Sequence, residues 1–179
     1  MENEILYGNL LSKITPFDQS LKSHDLFPLI STGITNLQIN LGKMCNQACG
    51  HCHVNAGPNR KEMMKKETMK KCLEILQMSD ISTVDLTGGS PELNPHFRWF
   101  VRELKKHINH IIVRTNMTVA LEKEQLDLPE FYFEHGIELT ASMPCYLEEN
   151  VDRQRGAGVH AKSIQVLRKL NYQILKLEL

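Results

Sequence analysis

Three cysteines, Cys45, Cys49 and Cys52, fall within eight consecutive positions, spaced Cys-x3-Cys-x2-Cys. Thiolates carried by one short loop can all turn toward a single centre, and as soft ligands they suit zinc or iron. At this spacing each can hold one iron of a cubane 4Fe–4S cluster, leaving the fourth iron open to a ligand that is not protein. An open iron implies chemistry rather than electron storage. A structural zinc site, without catalysis, is the competing reading, because His51 and His53 stand in the same loop and zinc takes sulfur and nitrogen together. A disulfide framework does not fit, since five cysteines is an odd number and Cys72 and Cys145 stand apart from the cluster.

The elements that must position this loop are short strands alternating with helical stretches. Leu37-Gln38-Ile39-Asn40-Leu41 is apolar at every second residue and predicts a first strand ending at the cysteine loop. Met69, Cys72, Leu73 and Leu76 recur at helical spacing, predicting a helix over about 63–78. Val84-Asp85-Leu86-Thr87 reads as strand two and runs into the turn Gly88-Gly89-Ser90-Pro91. Asn94 as N-cap and Pro95 as first helical residue open a second helix, with Phe97, Phe100, Val101 and Leu104 as its buried face. Ile111 to Thr115 is strand three, with Asn116 at its carboxyl end. A helix interrupted by Pro129 closes at Gly136. Ile137 to Met143 is strand four, a helix carries Ile164, Leu167 and Leu170, and the alternation from Ile174 to Leu179 reads as strand five.

Five strands separated by four helices imply an α/β fold with a parallel sheet, either doubly wound or an arc of a βα barrel. Both architectures gather ligands at the carboxyl ends of the strands. The candidates lie there: the cysteine loop after strand one, Gly88 and Gly89 after strand two, Asn116 after strand three, and Ser142 with Cys145 at strand four.

The chain has 179 residues, with 21 Lys and Arg against 21 Asp and Glu. A zero balance without a basic block argues against nucleic acid or an anionic membrane as partner. No apolar run approaches the roughly 20 residues of a membrane span, and the acidic start Met1-Glu2-Asn3-Glu4 is unlike a secretory signal. A cytoplasmic location is expected. Residues 1–34 read as a leader packing on the barrel, and 35–179 as one domain without an internal boundary.

The segment from Gly42 through Cys45-Asn46-Gln47-Ala48-Cys49-Gly50-His51-Cys52 to Pro58 resembles the signature of the radical S-adenosylmethionine (SAM) superfamily. In detail it is most similar to the radical enzymes of arsenosugar biosynthesis. Leu86-Thr87-Gly88-Gly89-Ser90-Pro91-Glu92-Leu93-Asn94-Pro95-His96-Phe97 resembles them too, as do Pro144-Cys145-Tyr146 and Glu149 through Gly158. The resemblance implies a partial TIM-like (βα) barrel with a 4Fe–4S cluster on Cys45, Cys49 and Cys52, and S-adenosylmethionine on the open iron. It implies 5′-deoxyadenosyl transfer to a trivalent methylated arsenical, with an electron donor such as flavodoxin or ferredoxin.

Carried over residue by residue, Gly88 and Gly89 meet the methionine amino group, Ser142 the ribose and Arg155 the methionine carboxylate, with Asn116 a further cofactor residue. A branched side chain at Gly89 is then expected to block S-adenosylmethionine and spare the cluster. Cys145 is the candidate catalytic thiol. The superfamily often has Glu as the third residue of the glycine turn; here it is Ser90, with Glu92 two places on. Relatives continue into a last barrel strand and a Cys-rich carboxyl-terminal domain beyond strand five. The chain is therefore expected to be truncated, and to be poorly active without a complementing chain. A radical peptide maturase is the other enzymatic reading.

Overall fold

The computed structural model describes residues 14–175. The chain divides into two compact units between Ile34 and Thr35. In the first, helix α1 (Phe17–Ser23) buries none of its residues. Phe17, Leu26, Phe27, Leu29 and Ile30 are all exposed.

The second unit is built on four strands, β1 (Asn36–Asn40), β2 (Thr83–Thr87), β3 (His110–Thr115) and β4 (Glu138–Ala141). They pair in parallel in sequence order, so β1 and β4 are the edges of this open sheet among the described residues. Helices α2 (Lys66–Gln77), α3 (Phe97–Leu104) and α4 (Leu128–Glu134) alternate with the strands, as parallel pairing requires. Helices α5 (Glu148–Arg155) and α6 (Val159–Leu175) follow β4.

The register aligns Ile39, Leu86, Val113 and Leu139 in one row. That row packs in the core with Met69 and Leu76 of α2, Phe97, Phe100, Val101 and Leu104 of α3, and Leu128 and Phe131 of α4. The strand period of two turns the intervening residues to the opposite face, where Gln38, Asp85 and Arg114 lie beside Ile112. On that face the buried Asp85 carboxylate accepts hydrogen bonds from Gln38 Nε2 of β1 at 2.9 Å and from Arg114 Nη2 of β3 at 2.7 Å. Burial alone would push this carboxyl up; the bonds from Arg114 and Gln38 outweigh it and hold it below its ordinary value.

Four strands are described where five were expected. Helix α6 runs to Leu175, so Ile174 and Leu175 are helical, and residues 176–179 lie outside the described residues. Ile174 also continues the helical spacing of Leu167 and Leu170, and a short apolar stretch satisfies both periods. Pro129 starts α4 instead of interrupting it, since its missing N–H is harmless in a first turn. Strand β4 stops at Ala141, short of Met143, although Ser142 N–H still donates to Thr115 O at 3.0 Å.

A 3-10 turn, Pro91–Leu93, precedes α3, which starts at Phe97 rather than Pro95. Asn94 is a clasp instead of an N-cap. Its Nδ2 donates to Leu41 O and Met64 O, each at 3.0 Å, while its Oδ1 accepts from His96 N–H at 2.9 Å. Among the described residues no helix is long and apolar enough to cross a membrane.

Candidate active site

The cysteine loop leaves β1 beside the turn that leaves β2, and the two are bonded backbone to backbone. Gly89 N–H donates to Gly42 O at 2.9 Å and Ser90 N–H to Met44 O at 2.8 Å. Contact this close requires glycine. Gly88 has φ +141°, and a Cβ there would stand 2.6 Å from Gly42 O; a Cβ on Gly89 would stand 2.3 Å from Met44 O. The loop is closed at its base by Cys45 N–H to Gly57 O at 3.2 Å and Gly57 N–H to Lys43 O at 3.0 Å.

The three thiols have different surroundings. Cys45 is buried, with 7% of its surface exposed, whereas Cys49 and Cys52 are half-buried. Cys45 Sγ is approached by Gln47 N–H at 3.4 Å, Ser90 Oγ at 3.3 Å and Asn116 Nδ2 at 3.4 Å. Cys52 Sγ accepts from Ala56 N–H at 3.3 Å. Burial pushes the Cys49 thiol up, partly offset by the positive charge of Arg155. Among the described residues no three His, Cys, Asp or Glu side chains converge to hold a single metal ion.

A cleft of about 290 Å³ opens over the carboxyl ends of the strands. Its lining brings together Cys45, Cys49, Cys52, Gly88, Gly89, Asn116, Ser142 and Arg155. Arg155, at the carboxyl end of α5, is only 8% exposed. Its Nη2 donates to Ser142 Oγ, while its Nε and Nη1 are buried without a partner. An uncompensated buried guanidinium is costly, and a carboxylate entering the cleft would supply the missing acceptors in bidentate form.

Two contacts hold the end of α5 in place. Gly50 N–H, within the cysteine loop, donates to Gln154 O at 3.1 Å. The Asp152 carboxylate accepts from the N–H groups of His160 at 2.9 Å and Gly158 at 2.6 Å at the start of α6, and these bonds hold it below its ordinary value.

Cys145 does not line this cleft. Its sulfur accepts from Leu147 N–H and Asn150 Nδ2, each at 3.5 Å, and these bonds draw the thiol below its ordinary value. Glu92 is also outside the lining; it is buried, with Oε1 accepting from Tyr132 Oη at 2.7 Å. Burial pushes the Glu92 carboxyl up, and burial followed by the nearby Glu92 charge pushes the Tyr132 hydroxyl well up. Asn116 lines the cleft, but its amide nitrogen is engaged with Cys45, Asn46 and Ser90. Sequence reasoning missed Gln47 and Arg114, both in the lining. The signal for Arg114 was a lone charge closing an otherwise apolar strand.

Residues 39–170 match the Radical SAM superfamily, whose enzymes use a 4Fe–4S cluster and S-adenosylmethionine. A probable GTP 3′,8-cyclase of Pyrococcus horikoshii is 31% identical over 85 residues, covering 48% of this chain and 27% of that relative. The antilisterial bacteriocin subtilosin biosynthesis protein AlbA of Bacillus subtilis is 28% identical over 88 residues, covering 49% and 19%. The matched stretch is thus about a quarter or less of the length of these curated relatives. Streptococcus suis SuiB, bound to its precursor peptide SuiA, superposes with TM-score 0.64 at 16% identity over 86% of this chain and 33% of SuiB. The protein anSMEcpe, with bound AdoMet, superposes with TM-score 0.59 at 18% identity over 77% and 41%. At such identities the likeness is one of fold.

Proposed function

This chain belongs to the radical SAM superfamily, and on that premise we propose that Cys45, Cys49 and Cys52 ligate three irons of a 4Fe–4S cluster beside bound S-adenosylmethionine. What carries the reading is the single cleft fed by four loops, in which Arg155 keeps two buried nitrogens without partners. When bound, the cluster supplies one electron for reductive cleavage of the sulfonium. The protein's share is to bind, orient and exclude water. Arg155 offers its free nitrogens to the methionine carboxylate. The Gly88-Gly89 turn leaves backbone open to the amino group, and Ser142, tied to Arg155, stands for the ribose.

The finer reading is transfer of the adenosyl group to a trivalent methylated arsenical, supported by the motifs at 86–97 and 144–158. Cys145 would be the arsenic-binding thiol. Electrons would come from a flavodoxin or ferredoxin. A peptide or nucleotide substrate is the second reading, supported by the relatives at 28% and 31% identity.

Anaerobic reconstitution followed by iron and sulfide analysis tests the cluster. About four irons per chain and a brown colour are expected for a cubane, and both should be lost in Cys49→Ala. Stoichiometric zinc without visible absorbance would overturn the reading. Release of 5′-deoxyadenosine under dithionite, compared with an arsenical, a peptide or GTP present, then separates the substrate classes.

A further inference from the structure

We propose that Ser90 and Asn116 are positioning residues for Cys45: Asn116 orients the Ser90 hydroxyl, and that hydroxyl holds the sulfur as a cluster ligand and raises the cluster's reduction potential by hydrogen bonding to it. The inference rests on the cluster reading above. Of the three cysteines only Cys45 is buried; Gln47 N–H and the Ser90 hydroxyl approach its sulfur as donors, and the Asn116 amide packs against it while bonding to Ser90.

The surrounding bonds fix which way each donor points. Asn116 Oδ1 accepts from Val119 N–H at 3.1 Å and from Thr118 Oγ1 at 3.2 Å, so its Nδ2 must face Cys45. Asn46 Nδ2 donates to Thr118 Oγ1 at 3.1 Å and Glu122 Oε1 at 3.0 Å, which leaves Asn46 Oδ1 as an acceptor on the Cys45 side. Asn116 Nδ2 donates to that oxygen at 2.7 Å and to Ser90 Oγ at 2.9 Å, which uses both of its hydrogens and leaves its 3.4 Å approach to Cys45 Sγ a packing contact. Ser90 therefore accepts from Asn116 and has its own proton to give to Cys45 Sγ or to Asn46 Oδ1, both at 3.3 Å. The turn that presents Asn116 carries strain. Met117, which follows it, has φ +66°, a left-handed conformation unusual for a non-glycine residue.

Hydrogen bonds to a thiolate stabilise negative charge on sulfur. The cluster with one extra electron carries more of that charge, so donors favour the reduced form and raise the potential. Cys49 Sγ instead faces the side-chain amide oxygen Oε1 of Gln47 at 3.4 Å, and Cys52 is approached by one backbone N–H. Among the three ligands, the side-chain donor thus falls on Cys45.

The test uses the full chain, reconstituted anaerobically as wild type, Ser90→Ala, Asn116→Ala and the double variant. Iron and sulfide are measured first, and the midpoint potential is then read by a dithionite titration followed by electron paramagnetic resonance. Each single variant is expected to titrate at a more negative potential than wild type, and the double variant at about the potential of Ser90→Ala. Loss of iron from one variant leaves the other to decide. Loss from both, with far-ultraviolet circular dichroism unchanged, supports the positioning role. Full iron with an unshifted potential in both single variants overturns the inference alone. A wild-type chain that takes up no cluster overturns the functional reading and this inference with it.

Discussion

Arg155 concentrates the residue-scale conflict in this molecule. Its guanidinium is buried with one nitrogen satisfied by Ser142 and two unsatisfied, an arrangement that costs stability until an anion arrives. Arg155→Met should therefore weaken S-adenosylmethionine binding by about 10- to 100-fold, in line with roughly 1.5–3 kcal/mol for hydrogen bonds to charged groups. The same variant should leave the ligand-free fold as stable as wild type or slightly more so. Arg155→Lys should fall between the two, because an ammonium keeps the charge and loses the bidentate fork. Calorimetric binding and thermal unfolding measure both effects, and unchanged affinity in Arg155→Met would remove the carboxylate role.

At the scale of elements, the glycine turn after β2 and the loop after β1 behave as one unit. The sequence expectation gave Gly89 a single job, that of admitting S-adenosylmethionine while the cluster stays bound. The structure corrects it: the atom a Cβ would strike is the carbonyl oxygen of Met44, the residue before the first cysteine. Overpacking a backbone contact of this kind typically costs about 1–3 kcal/mol or forces the chain to move. Gly89→Val should thus lose most of its iron along with S-adenosylmethionine affinity. Gly50→Ala, within the cysteine loop but with nothing within 4 Å of its Cβ, should keep its iron. Parallel iron assays on the two variants check this. Full iron in Gly89→Val would restore the ligand-only role.

On the scale of the whole molecule, the buried Glu92 makes global stability depend on pH. Its carboxyl is pushed up by burial in the folded state, against an ordinary value of about 4.3 when unfolded. Below that value both states are protonated and the stability associated with Glu92 is complete. As pH rises the unfolded chain ionises first, so stability is progressively lost up to the folded value. Glu92→Gln removes this ionisation and keeps an acceptor for the Tyr132 hydroxyl, so the variant should gain on wild type as pH rises from about 4 toward neutrality. Urea denaturation of the metal-free proteins across that range would show the two curves diverging. Parallel curves would mean that Glu92 ionises freely in the folded chain.

The sequence by itself determined the cysteine spacing, strands β1 to β4 to within a few residues and the buried faces of α2 and α3, because these follow from local periodicity and turn chemistry. It also placed the site residues at strand ends, since a parallel sheet collects its loops there. Tertiary structure alone decided what those residues touch. Asn116 read as a cofactor residue and Ser90 only as a departure from the usual Glu of the glycine turn; the fold brings both to Cys45 and Asn46, although they lie 71 and 45 positions from Cys45 in the chain. Asp85 was read only as a member of strand two, and the fold pairs it with Gln38 and Arg114 of the flanking strands. Helix α5 went unread because only Val151 and Arg155 are buried along it, too few to leave a periodic trace. The alternation after Leu170 fitted a strand as well as a helix, and α6 extends through Leu175. Local patterns are written within one or two turns of chain, whereas the hydrogen-bond partners of a buried polar group are set by register between distant strands, which a single segment does not carry.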